Sequence, residues 1–88
     1  MPSLDSQLPH ILIAEDERKT RESLVEGFGM EQWRVTAVAT GEEAIRELGH
    51  QNFDLLILDW MLPGEDGLDV LRCARARGLH TPVLFLTA

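Results

Sequence analysis

The chain has 88 residues, with fifteen acidic and eight basic side chains that give a formal charge of −7. Its 44% hydrophobic and 26% charged residues are ordinary globular composition, enough for one small domain and inconsistent with a disordered chain. The acidic balance excludes non-specific nucleic-acid binding by this chain, and a single cysteine, Cys73, excludes an internal disulfide framework or a cysteine-rich zinc site.

Met1–Pro9 holds two prolines among small polar residues and is expected to be a disordered leader, with residues 10–88 forming the domain. It has no apolar core, so it is not a signal peptide. The longest apolar runs are far too short to span a bilayer, and the chain is expected to be cytoplasmic, with no membrane partner. Ile11–Ala14 is a continuous apolar run, as expected of a strand buried on both faces, and it ends in Glu15, Asp16 and Glu17. From Glu17 to Met30, Leu24, Val25 and Phe28 fall at helical spacing, which predicts an amphipathic helix loosened at its end by Gly27 and Gly29.

Trp33–Ala39 contains Val35, Thr36 and Val38 and is expected to be a strand near a sheet edge. Thr40-Gly41-Glu42-Glu43 has the form of a capping box, starting a helix that buries Ala44, Ile45 and Leu48 and stops at Gly49. Leu55–Leu58 is a second buried strand ending at Asp59. Pro63-Gly64 and Asp66-Gly67 mark a tight loop before a helix through Leu68, Val70, Leu71 and Ala74 to Gly78. Thr81-Pro82 restarts the chain, and Val83–Leu86 is a third buried strand leading to Thr87 and Ala88. The order β-α-β-α-β-α-β with continuous apolar strands predicts an α/β fold, a doubly wound parallel sheet covered by helices.

In such sheets ligands bind beyond the carboxyl ends of the strands, where the strand order reverses. Glu15 and Asp16, Asp59, and Thr87 all follow predicted strands, so three carboxylates and a hydroxyl would converge if those strands are neighbours. Like charges that close strain one another, and a hard divalent cation such as Mg²⁺ relieves the strain. The plainer reading makes Asp16 and Glu15 helix N-caps. Asp59 resists it, because a carboxylate ending a wholly apolar run loses solvation unless something uses it. There is no Gly-Lys-Ser/Thr phosphate loop and no Gly-x-Gly-x-x-Gly after the first strand, so nucleotide binding in those modes has no support. His10, His50 and His80 lack metal-ligand spacing and are expected at the surface. Arg72, Arg75 and Arg77 favour the end of their helix and are expected to form a solvated face. Cys73 has nothing beside it to activate a thiol.

Three blocks, Ile11–Glu17, Asp54–Gly67 and Pro82–Ala88, together resemble the receiver domain of two-component response regulators over Ile11 to Ala88. The Met61-Leu62-Pro63-Gly64-Glu65-Asp66-Gly67 stretch is most similar to receivers of the winged-helix transcription-factor branch. The resemblance implies a flavodoxin-like fold and a phosphorylation-dependent switch, not an enzyme. It implies that Asp59 accepts a phosphoryl group from a sensor histidine kinase. Mg²⁺ would be held by Asp16, by Asp59, by Glu15 through a water and by the backbone carbonyl of Met61, and Thr87 would bond a phosphoryl oxygen. It also implies DNA as the target of a longer parent protein.

Receivers continue through two further helices and a fifth strand carrying a lysine, whereas the only lysine here is Lys19. The fold is therefore expected to be incomplete, lacking its last helix-strand-helix, with an exposed sheet edge that favours self-association. Two alternatives remain at this point: a Mg²⁺-dependent phosphohydrolase with Asp59 as nucleophile, and an inert dimerisation module.

Overall fold

The computed structural model describes residues 7–86. Four strands, β1 (His10–Ala14), β2 (Arg34–Val38), β3 (Leu55–Asp59) and β4 (Val83–Leu86), alternate with helices α1 (Arg18–Met30), α2 (Gly41–Leu48) and α3 (Gly67–Ala76). All strand pairs are parallel, in the order β2-β1-β3-β4. This is the doubly wound α/β arrangement that the alternating pattern predicts. The order reverses between β1 and β3, which places a crevice beyond their carboxyl ends.

Strand side chains alternate between the two sheet faces, and the core is accordingly split in two. Leu12, Ala14, Leu56 and Leu58 face α2 and α3 and pack with Ala44, Leu48, Val70 and Ala74. Ile11, Ile13 and Ile57 face the other way, against Leu24 and Phe28 of α1 and against Trp33 and Val35. The continuous apolar runs of β1 and β3 thus serve two cores, one per face. Among the described residues, α1 is the only helix on its face. It has no buried residue, and an open groove of about 270 Å³ runs along Ser23, Leu24, Gly27, Phe28 and Glu31.

The local signals explain most boundaries. Thr40 caps α2, its Oγ1 accepting from the Glu43 backbone N–H at 3.2 Å and donating to Glu43 Oε1 at 3.0 Å. Asp66-Gly67, expected as part of a loop, instead begins α3. Asp66 Oδ1 accepts from the Asp69 N–H at 2.9 Å, while Asp69 Oδ2 accepts from the Asp66 N–H at 3.1 Å, a reciprocal cap. Gly78, at φ 78°, turns the chain after α3, and α1 unwinds through Gln32 at φ 65° and not at a glycine.

Several expectations need correction. Val25 lies 37% exposed, because only Leu24 and Phe28 of its helix reach the sheet. The β4 strand is not fully buried, with Leu84 56% exposed at a sheet edge. His10 is not a surface residue. It sits in β1 at 5% exposure, its Nε2 shares a 2.7 Å hydrogen bond with Thr36 Oγ1, and its ring lies against Phe53. Burial and the Arg34 charge hold this imidazole below its usual pKa. Arg75 and Arg77 are exposed as expected, yet both donate to carbonyls, Leu79 O at 3.0 Å and Ile45 O at 3.1 Å. No described helix is long and apolar enough to cross a membrane.

Candidate functional site

The reversal point gathers the acidic side chains. The β1 ladder closes with Glu15 N–H donating to Val38 O at 3.1 Å, after which the chain leaves the sheet through Glu15 and Asp16. Asp59 ends β3, level with Leu86 of β4. Because β1 and β3 are hydrogen-bonded neighbours in register, their ends deliver Glu15, Asp16 and Asp59 to one place. One carboxylate oxygen from each lies within 4.8 Å of the others.

The three differ in environment. Glu15 is buried, Asp59 half-buried and Asp16 exposed. Burial, then a hydrogen bond shared with Asp59, pushes the Glu15 carboxyl up to about 7, although the Glu17 N–H pulls the other way. That N–H donates to Glu15 Oε2 at 3.2 Å. Asp59 Oδ1 accepts from the Met61 N–H at 3.1 Å. Neither residue of the pair is the N-cap of α1: that position is Glu17, whose own side chain makes no capping hydrogen bond.

Carboxylate oxygens at this spacing suit a hard divalent cation with a mixed shell of carboxylates and waters, and the cluster includes none of the thiolates or imidazoles of a softer site. The donor set therefore fits Mg²⁺ in kind and number. Met61 lies two residues past Asp59 with its side chain 73% exposed. Thr87 lies outside the described residues.

Two supports escaped the sequence pattern. Arg21 Nη1, from the second turn of α1, donates to Glu15 O at 2.9 Å and Asp16 O at 3.3 Å, holding the main chain of the acidic pair. Across the crevice, Glu42 Oε1 accepts from the Glu65 N–H at 3.1 Å, tying the β3–α3 loop to the start of α2. That approach is close: a Cβ on Gly41 would collide with the Glu65 carbonyl, and one on Gly67 with the carbonyl of Asp59. Gly41 is thus required by packing, whereas the cap itself involves Thr40 and Glu43. Glu42 acts on main chain 23 residues away that only the fold brings near, whereas Arg21 reaches back over the start of its own helix to carbonyls five and six residues before it, a contact with no recognisable motif.

Comparison with known proteins agrees with this geometry. Residues 11–88 match the response regulator receiver domain, and the chain belongs to that family, whose members are phosphoacceptor signalling switches. The chain is 40% identical over 80 residues to the transcriptional activator protein PfeR of Pseudomonas aeruginosa, covering 91% of this chain and 26% of that protein. It superposes on the Francisella response regulator 1452 receiver domain with a TM-score of 0.86 at 31% identity, covering 91% of this chain and 66% of the other. It is also similar to the response regulator TrrA of Thermotoga maritima, solved in complex with Mg²⁺-BeF (TM-score 0.76, 36% identity, 80% and 61% coverage). The chain spans about a quarter to a third of the length of curated relatives such as PfeR and the P. aeruginosa response regulator PmrA.

Proposed function

We propose that Asp59 is the phosphoacceptor of this receiver and that Glu15, Asp16 and Asp59 hold Mg²⁺ beside it. The observation that carries this reading is the meeting of three carboxylates at the β1/β3 reversal, one of them ending a strand whose three central residues are buried. A bound Mg²⁺ would supply charge neutralisation for the incoming phosphoryl oxygens. Among the chain's own atoms, the Met61 N–H holds Asp59 Oδ1. That bond restricts rotation of the carboxylate and leaves its other oxygen to attack. The new P–O bond forms at Asp59 as the P–N bond of a donor phosphohistidine breaks, and the electron pair leaves on the imidazole nitrogen. The Met61 carbonyl as a further ligand and Thr87 as a phosphoryl contact belong to the same reading.

The adduct carries about two negative charges at pH 7 in place of the single charge of the free carboxylate, next to a loop tied to α2 and leading into α3. A sensor histidine kinase is the fitting donor, and the transcriptional relatives support a DNA-binding parent protein. A general acid two residues past the nucleophile, which a phosphohydrolase needs, is not available, because that position is Met61. Exposed Leu84 on edge strand β4 supports self-association through that edge, and Leu84→Glu would weaken a dimer seen in light scattering.

The test is phosphorylation by a small phosphoramidate donor, followed by intact mass. Incorporation that needs Mg²⁺ and is lost in Asp59→Asn is expected; incorporation that persists in Asp59→Asn sinks the assignment.

A further inference from the structure

The acidic pair leaves the sheet on main chain that has few restraints. After Glu15 N–H closes the ladder on Val38 O, the Asp16 side chain meets the neighbouring Glu15 carboxyl, and the side chain of the N-cap Glu17 bonds no backbone N–H at the helix end. The two carboxylates touch each other, so where the pair sits depends on the main chain that carries both. Among the described residues, that backbone is held from outside by one side chain, Arg21, through two carbonyls. Arg21 is half-buried and bonds carbonyl oxygens, whereas its neighbour Arg18 makes an exposed ion pair with Glu22.

We propose that Arg21 is a positioning residue for the divalent cation: by gripping the carbonyls of Glu15 and Asp16, it presents their carboxylates toward Asp59. The proposal rests on the metal-site reading above and extends it to a residue that is not itself a ligand. Two physical effects of Arg21 oppose each other, so the sign of a substitution is informative. As a positive charge near the pocket, Arg21 repels a cation, and its removal would tighten binding. As a support for ligand-bearing main chain, it favours binding, and loss of such supports commonly weakens metal affinity by about tenfold to a hundredfold.

The experiment is calorimetric titration with Mg²⁺ of the wild-type chain, Asp59→Asn, Arg21→Gln and Arg18→Gln, with amide hydrogen exchange on the same proteins free of metal. Arg18→Gln removes a charge from the first turn of the same helix, with its exposed pair to Glu22, without touching the loop, and so reads the loss of a nearby charge. The expected result is affinity at least about tenfold weaker in Arg21→Gln, unchanged or tighter in Arg18→Gln, and faster exchange confined to Asp16 and Glu17. Tighter or unchanged binding in Arg21→Gln overturns the proposal. So does faster exchange throughout β1 and β3, which would mark a general structural role. Wild-type binding that is absent, or that survives in Asp59→Asn, instead refutes the site itself and the proposal with it.

Discussion

Replacing Glu15 by Gln should make the metal-free protein more stable. Folding carries this carboxyl into a buried position facing Asp59, and its pKa rises from 4.5 to about 7. At about 1.4 kcal/mol per pH unit, that sets a ceiling of about 3 kcal/mol on the cost of the charged form at pH 8. Because the folded pKa lies above the unfolded one, the stabilisation is fully present below 4.5 and is lost as pH rises through 7. Gln keeps an acceptor for the Glu17 N–H and offers a donor to Asp59, so about 1–2 kcal/mol of the ceiling should appear as gained stability. For a domain of this size, each kcal/mol moves the midpoint by about 4–8 °C. The assay is thermal unfolding in chelator at pH 5 and pH 8. Wild type should lose stability between these values on account of Glu15, and Glu15→Gln should flatten that part of the profile. With Mg²⁺ present the order should reverse, since a ligand at a hundredfold excess over Kd adds about 2.7 kcal/mol to whichever chain binds it. A variant no more stable than wild type at pH 8 in chelator would refute the argument that this pocket holds strained charge.

The other predictions concern the frame. Gly41→Ala should cost about 1–3 kcal/mol by chemical denaturation, because the new methyl meets the Glu65 carbonyl. Gly29→Ala, with open space around it, should be neutral or stabilising by up to about 1 kcal/mol. His10, with its pKa held low by burial and Arg34 and only partly offset by Asp54 and Glu47, should make stability fall as pH drops through 6.5 toward its folded value. His10→Phe in a Glu15→Gln background should remove that slope from denaturation midpoints between pH 5 and 7.5. Leu56→Ala, cutting a fully buried side chain between α2, α3 and the sheet, should cost about 2–5 kcal/mol in the same assay.

Much of this protein was legible in one dimension because its signals are local. Apolar runs at Ile11–Ala14 and Leu55–Leu58 specify strands covered on both sides, and Thr40 with Glu43 specifies a helix start, since both depend on neighbours a few residues apart. The acidic pair after one run and Asp59 after the other place carboxylates at strand ends. What the sequence could not show was proximity. Only the β1–β3 pairing turns Glu15, Asp16 and Asp59 into one pocket within 4.8 Å. Likewise, only the folded chain buries His10 against Thr36, 26 residues away, and brings Glu42 to the Glu65 N–H. Composition and periodicity report what a segment prefers, whereas the strain on the Glu15 carboxylate arises from burial and from Asp59, which becomes its neighbour only after the strands pair.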